Sequence, residues 1–157
     1  MINFNIINDQ FSVGSYPQNQ VDIQRLRSGP GITAVLNLQT DEDFANLGIN
    51  WLSLEQTYLQ QELACHRWPI TDFSADDLVQ HLAGVTTALD RLIQVGHRVY
   101  IHCTAGVERA PSVAIGYLVW HRGMDLEEAA KLVMTRRSCN PNLDALRTVH
   151  ATMSRAD

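Results

Sequence analysis

One stretch of this chain restricts the fold more than any other. Val99-Tyr100-Ile101-His102 is apolar enough to be a buried strand, it stops at Cys103, and a helical pattern resumes by Pro111. A loop of six residues ending in Arg109 separates the cysteine from a helix that begins at or near that arginine. A strand joined so closely to a helix belongs inside a sheet that helices cover, and the rest of the sequence repeats the alternation. Asn3 to Ile7 and Phe11 to Ser15 alternate polar with apolar residues around Asn8-Asp9 and read as a strand pair closed by Pro17. Val21, Ile23 and Leu26 fit a short helix ended by Ser28-Gly29-Pro30-Gly31, and Ile32 to Leu38 reads as a buried strand. Helices are expected over Asp41 to Leu47 and Ser53 to Leu63, and a further strand over Ala64 to Ile70. Ser74 is placed to N-cap a helix with Asp77 at its third position. That helix carries Leu78, Val79, Leu82, Val85, Leu89, Leu92 and Ile93 at helical spacing as far as Gly96. Pro111 to Trp120, Leu126 to Arg136 and Leu143 to Met153 give three more helices. The expected fold is α/β: a central mixed, largely parallel sheet of about five strands flanked by helices, in a single domain over residues 1–157.

Charge sets limits on what such a domain binds. Twelve Lys plus Arg against 17 Asp plus Glu leave a net charge of −5, and Lys131 is the one lysine. There is no basic stripe for nucleic-acid phosphates or an acidic membrane. The apolar run around Val113 to Trp120 falls far short of the roughly 20 residues a membrane span needs. Met1 to Val21 contains no Lys or Arg, so neither a secretory signal nor an Arg-rich transit peptide is read there, and a cytoplasmic address is expected. Three cysteines, Cys65, Cys103 and Cys139, without a CxxC pair favour reduced thiols. No pair among them and the histidines has metal-site spacing. Oligomeric state is not encoded in any feature of the sequence.

Against that acidic background the loop Cys103-Thr104-Ala105-Gly106-Val107-Glu108-Arg109 is built for an anion. Its successive N–H groups can face inward, and a helix N-terminus adds roughly half a positive charge. Ala105 and Gly106 allow a tight turn, and Pro111 falls in the first helical turn, where its missing N–H costs nothing. A cysteine at the base of that field is favoured as a thiolate nucleophile. Arg109 can offer a planar fork to two phosphoryl oxygens. Taken singly, a cysteine ending a strand is usually a small buried hydrophobe and an arginine opening a helix a solvated one. The spacing His-Cys-x5-Arg between strand and helix raises the functional reading above both.

This stretch resembles the phosphate-binding loop of the Cys-dependent protein tyrosine phosphatase superfamily, and the size of the domain resembles the dual-specificity branch. The resemblance implies that Cys103 attacks phosphorus in line and forms a phosphocysteine that water then hydrolyses, without metal or cofactor. The N–H groups of Thr104, Ala105, Gly106, Val107 and Glu108, with Arg109, would hold the equatorial oxygens. It also implies that His102 sets the surroundings of Cys103 by hydrogen bonding, and that a general acid lies on a loop some thirty residues earlier. Asp72, 31 positions before Cys103 and after the strand that ends in Ile70, fits that place. Asp76 and Asp77 are rivals, although the first turn of the Ser74-capped helix accounts for them.

Further segments narrow the match. Val13 to Gln18, Val35 to Gln39, the loop itself with Ala110-Pro111, and Arg137 to Ala145 resemble the glucan phosphatases of starch metabolism. In protein-directed relatives a Ser or Thr follows the arginine; here Ala110 follows it, as in the glucan branch. Glu108 stands where glucan enzymes have Gly, and its side chain is expected to point outward. Aromatics that stack on sugar rings in the plant enzymes align with Asn46 and Leu47, leaving Phe73 as the one carried over. Tyr16, Phe44 and Trp51 are candidates for a rearranged channel or simply core and rim aromatics. The segment Arg136 to Asn142 resembles the loop that buttresses the phosphate site, while Asn142 alternatively caps the last helix. Cys65 is expected to be a strand-core thiol. The implied substrate is a phosphorylated glucan or a phosphotyrosine, phosphoserine or phosphothreonine protein. The competing readings are a domain that holds a phosphorylated partner without turnover and a sulfur-transfer enzyme, the latter disfavoured by Arg109.

Overall fold

The structure, a computed structural model, describes residues 1–156. Strands β1 (Phe4–Ile6), β2 (Phe11–Gly14), β3 (Ala34–Asn37), β4 (Ala64–Arg67) and β5 (Val99–His102) form one sheet in the order β1-β2-β5-β3-β4. β1 pairs antiparallel with β2, and β2, β5, β3 and β4 run parallel to one another, which is the mixed, largely parallel sheet expected. The helices are α1 (Gln20–Ser28), α2 (Asp41–Leu47), α3 (Trp51–Gln60), α4 (Ala75–Gln94), α5 (Arg109–Trp120), α6 (Leu126–Arg136) and α7 (Leu143–Ala156).

The two-residue period of the strands divides the core. Ala34, Leu36, Val99 and Ile101 turn toward α4 to α7 and join the larger cluster, with Leu82, Val85, Val113 and Leu146. Val35 and Tyr100 turn the other way, onto Ile23 and Leu26 of α1 and Tyr58 of α3. Every residue of α5 from Arg109 to Val119 is buried, so this helix lies among its neighbours rather than on the surface. Because four strands are parallel, the segments after β2, β3, β4 and β5 all leave the same edge of the sheet. β5 sits between β2 and β3, which puts the loop after it at the centre of that edge, where open α/β sheets bind ligands.

Two boundaries differ from expectation for identifiable reasons. The strand expected to reach Ile70 ends at Arg67: Trp68 and Ile70 still donate to Asn37 and Leu38 carbonyls, but Pro69 between them has no N–H for the ladder. The helix expected from Ser53 starts at Trp51, because Asn50 caps it by accepting from Ser53 N. The helical pattern read from Pro111 extends back to Arg109, where the loop spacing places the helix's beginning, so Pro111 falls in its first turn. Ser74 caps α4 as the sequence suggests, accepting from Asp77 N at 3.1 Å.

Candidate active site

The loop Cys103–Glu108 is held from outside by its carbonyls. Tyr16 N donates to Thr104 O at 3.0 Å and Asn140 N donates to Val107 O at 2.8 Å. Between them the buried Arg137 donates through Nη2 to Ala105 O at 3.2 Å and through Nε to Gly106 O at 2.8 Å. Four successive carbonyls are thus turned away from the loop's centre and occupied. Among the described residues, the N–H groups of Thr104 to Glu108 find no backbone acceptor. The result is a concave row of free donors ahead of a helix N-terminus, an anion cradle. Gly106 makes the curl possible. Its φ of 70° suits glycine, and a Cβ there would run into the Gly14 carbonyl at the end of β2.

Arg109 is 1% exposed and its guanidinium is anchored on one side. Nη1 donates to Asp43 Oδ2 and to Ile70 O, both at 2.8 Å. Nη2 lies 3.2 Å from Asp72 Oδ2 and donates to Thr104 Oγ1 at 3.4 Å. Nε is buried with no partner among the described residues, a donor left over for an anion oxygen. Burial alone would raise the Asp43 carboxyl, but hydrogen bonds from Arg109 and Thr40 and the arginine's charge outweigh it and hold Asp43 below the usual carboxylate range. Asp43 therefore stays ionised and fixes the fork from behind. Gln39, fully buried, donates to Thr104 Oγ1 at 3.1 Å and ties β3 to the same hydroxyl.

A cleft of about 450 Å³ opens over the loop. Of the residues proposed from sequence, Asp72, Phe73, Cys103, Thr104, Ala105, Val107, Glu108 and Arg109 all line it, joined by Asn140. Asp72, partly exposed, faces the same space as the buried Cys103. Phe73 is 93% exposed at the tip of the loop with a φ of 59°. Glu108 stands on the rim shared with a neighbouring hollow formed by Asn140 to Asp144. The other residues fall elsewhere. Gly106 is buried behind the cleft wall. Asn142 does not line the cleft; its Oδ1 accepts from Ala145 N at the start of α7 and its N–H donates to Ser112 Oγ. Asp77 accepts from Thr71 N and lies outside the cleft. Phe44 is buried, stacked on Trp51 at 5.4 Å with the Arg67 guanidinium 4.5 Å over its ring, so it belongs to a packed cluster rather than an open channel.

His102 is sealed beneath the loop. Its Nδ1 lies 2.9 Å from Cys103 O, which can only accept, so Nδ1 carries the proton, and the buried Nε2 has no partner among the described residues. Burial, reinforced by the charge of Arg109 and partly offset by that hydrogen bond, pushes the imidazole from 6.5 down to about 4. Above pH 6.5 neither folded nor unfolded chain protonates it. Between 6.5 and about 4 the unfolded chain alone takes the proton, so stability falls as the pH is lowered through that window. The full effect is about 3 kcal/mol. Urea unfolding at neutral and mildly acid pH is expected to show that loss, reduced in His102→Gln; equal losses in both would place the effect on the carboxylates instead.

The other two thiols, Cys65 and Cys139, do not line the cleft. Burial, with repulsion from Glu55 and against the pull of Arg67, pushes Cys65 up to about 12, and burial raises Cys139 as well. Cys65 is a protonated thiol packed against the smaller core, as expected of a strand-core residue.

Asp43, Gln39 and Ile70 were not picked out from sequence. Thr40-x-x-Asp43 does form the capping box of α2, with Thr40 Oγ1 accepting from Asp43 N and Asp43 Oδ2 from Thr40 N. That spacing was a usable signal for a structured carboxylate. Nothing in the spacing says that it meets Arg109, 66 positions later. Ile70 acts through its carbonyl, for which side-chain identity gives no clue.

Comparison with known proteins agrees with this geometry. The family model described as dual specificity phosphatase, catalytic domain, matches residues 13–153. Phosphoglucan phosphatase DSP4, amyloplastic, from Castanea sativa is 36% identical over 152 residues, covering 96% of this chain and 40% of that protein. Dual specificity protein phosphatase 26 from Homo sapiens is 31% identical over 140 residues, covering 85% of this chain and 58% of that protein. The chain therefore spans less than two thirds of either relative's length. The crystal structure of PTPMT1 superposes with a TM-score of 0.77 at 19% identity, covering 98% of both chains, and so shares the fold. With its cradle, buried arginine and facing carboxylate, and the family match running from β2 to α7, the chain belongs to the dual specificity phosphatases.

Proposed function

We propose that this domain hydrolyses phosphomonoesters through a phosphocysteine, and that its substrate is a phosphorylated glucan. The observation that carries the first part is the loop's outward-tied carbonyls around Cys103 beside an arginine with a free Nε. The three equatorial oxygens of the phosphoryl group sit on the inward N–H groups and Arg109, which stabilise the charge of the transition state. Cys103 Sγ attacks phosphorus while the ester P–O bond breaks, and Asp72 delivers its proton to the departing alkoxide. In the second step Asp72 takes a proton from water as that water attacks phosphorus. The S–P bond breaks, releasing phosphate and the Cys103 thiolate. Ala110 supplies no hydroxyl to help, which leaves the water to Asp72.

A second hollow supports the substrate class. It holds about 410 Å³ and is lined by Tyr16, Gln18, Leu47, Asn50, Ser53 and Thr57 among others, with no charged side chain in its wall. One of its residues, Tyr16, also donates its backbone N–H to Thr104 O of the loop at 3.0 Å. Amides, hydroxyls and one aromatic face suit a neutral polyol better than a peptide rich in charge. The net charge of −5 points the same way, toward a lightly phosphorylated, mostly neutral polymer. The test is side-by-side phosphate release from phosphorylated amylopectin and from a phosphotyrosine peptide. A kcat/KM at least about 10-fold higher for the glucan is expected; a preference for the peptide would transfer the domain to the phosphoprotein class suggested by its likeness to dual specificity protein phosphatase 26.

A further inference from the structure

We infer that His81 is a positioning residue for Asp72, acting through Asp77 and Trp68 on the two sides of the acid loop. The inference rests on the reading of Asp72 as general acid. None of the three residues lines the cleft. Asp77 and His81 are one turn apart on α4, with Nε2 of His81 3.4 Å from Asp77 Oδ1. The other Asp77 oxygen, Oδ2, accepts from Thr71 N at 2.7 Å, the residue next to Asp72. On the far side of Pro69, Trp68 Nε1 donates to His81 Nδ1 at 3.0 Å, and the two rings meet edge to face at 6.3 Å.

These contacts fix the histidine's tautomer. An indole N–H only donates, so Nδ1 is the acceptor and the ring proton sits on Nε2, directed at Asp77. One side chain thus accepts from the residue before the loop and lies 3.4 Å from the carboxylate that grips the loop's middle. Gly84, one turn further along α4, lets Trp68 lie flat against the helix, because a Cβ there would come within 2.8 Å of the indole ring. Ile70 is also held, its N–H by Leu38 O and its carbonyl by Arg109. Residues 68, 70 and 71 are therefore anchored, and Asp72 and Phe73 project from them as a short tip. The Ser74 cap already secures the start of α4. The Trp68–His81–Asp77–Thr71 chain ties the loop to α4 on both sides of Pro69, and its product is the height and direction of Asp72 over Cys103.

The experiment compares an alkyl phosphate, which needs a proton on its leaving oxygen, with an aryl phosphate whose leaving group departs with little help. His81→Leu is expected to lower kcat for the alkyl ester about 10-fold, with KM and the aryl rate within about two-fold. His81→Gln, which keeps one acceptor and one donor, restores most of the alkyl rate. Trp68→Phe, losing only the indole donor, shifts the alkyl-to-aryl ratio in the same direction by a smaller factor. In an Asp72→Asn background His81→Leu has no further effect on either ester. Equal falls for both esters, or an undiminished fall without the Asp72 carboxylate, would mean that His81 only supports the fold and would overturn the inference. If Asp72→Asn itself left the ratio unchanged, the assignment of the acid would fail, and this inference with it.

Discussion

Replacing Cys103 with Ser is expected to lower kcat/KM by about 10⁴-fold or more and to abolish the phosphoenzyme that rapid acid quench traps in the wild type. The swap changes one atom and leaves the cradle in place, so phosphate binding should survive. What is lost is the group that the proposed mechanism uses as nucleophile. A hydroxyl in this position would need a base, and the surroundings provide none. His102 turns Nδ1 to the Cys103 carbonyl and is pushed down to about 4 by burial, which makes it both misdirected and too weakly basic. Asp72 Oδ2 lies 3.2 Å from the Arg109 guanidinium and, in the proposed mechanism, serves the leaving oxygen rather than the nucleophile. A serine enzyme retaining a tenth of the wild-type rate would show that Cys103 is not the attacking group.

Arg109→Lys is expected to cost about 10³-fold in kcat/KM, the loss falling mainly on kcat. The guanidinium makes four contacts at fixed angles with Asp43, Ile70, Thr104 and Asp72, and still keeps Nε unpaired. An ammonium has three donors on one point and cannot satisfy Asp43 and Ile70 while reaching an equatorial oxygen. Arg109→Ala should be worse for the fold, because it leaves Asp43 without its cation in a half-buried position; about 3 kcal/mol lost in urea unfolding is expected. A lysine variant close to wild type in kcat would refute the role of the planar fork.

The parts of this site that could be read from the sequence are those made within one continuous stretch. Cys103, the small residues of the loop and Arg109 declare themselves because strand, turn and helix follow in fixed order, each obeying a local rule. Asp72 was legible only through the spacing implied by family resemblance. Asp43 and Gln39 were not, because their function depends on β3 lying beside β5, and strand order is written in no short segment. Phe44 shows the opposite error. An aromatic near a proposed channel is a natural candidate for stacking, yet Arg67 arriving on β4 and Trp51 on α3 close it into a cluster. The shortening of β4 was predictable in principle from Pro69, had the missing N–H been weighed against the apolar pattern.

Arg137 gives the molecule a property that concerns its synthesis rather than its chemistry. The side chain that turns the Ala105 and Gly106 carbonyls outward also donates to Asn3 Oδ1 and Asn5 Oδ1, contacts spanning 134 and 132 positions. Asn3 and Asn5 at β1 and Arg137 at the end of α6 are thereby fastened to the same loop. A nascent chain halted after α5 would already contain Cys103, Arg109 and Asp72 and would still lack the clamp that shapes the cradle. Contacts this far apart along the chain carry a larger loop-closure cost than local ones. The cradle takes its final shape only once β1, the loop and the segment after α6 have come together.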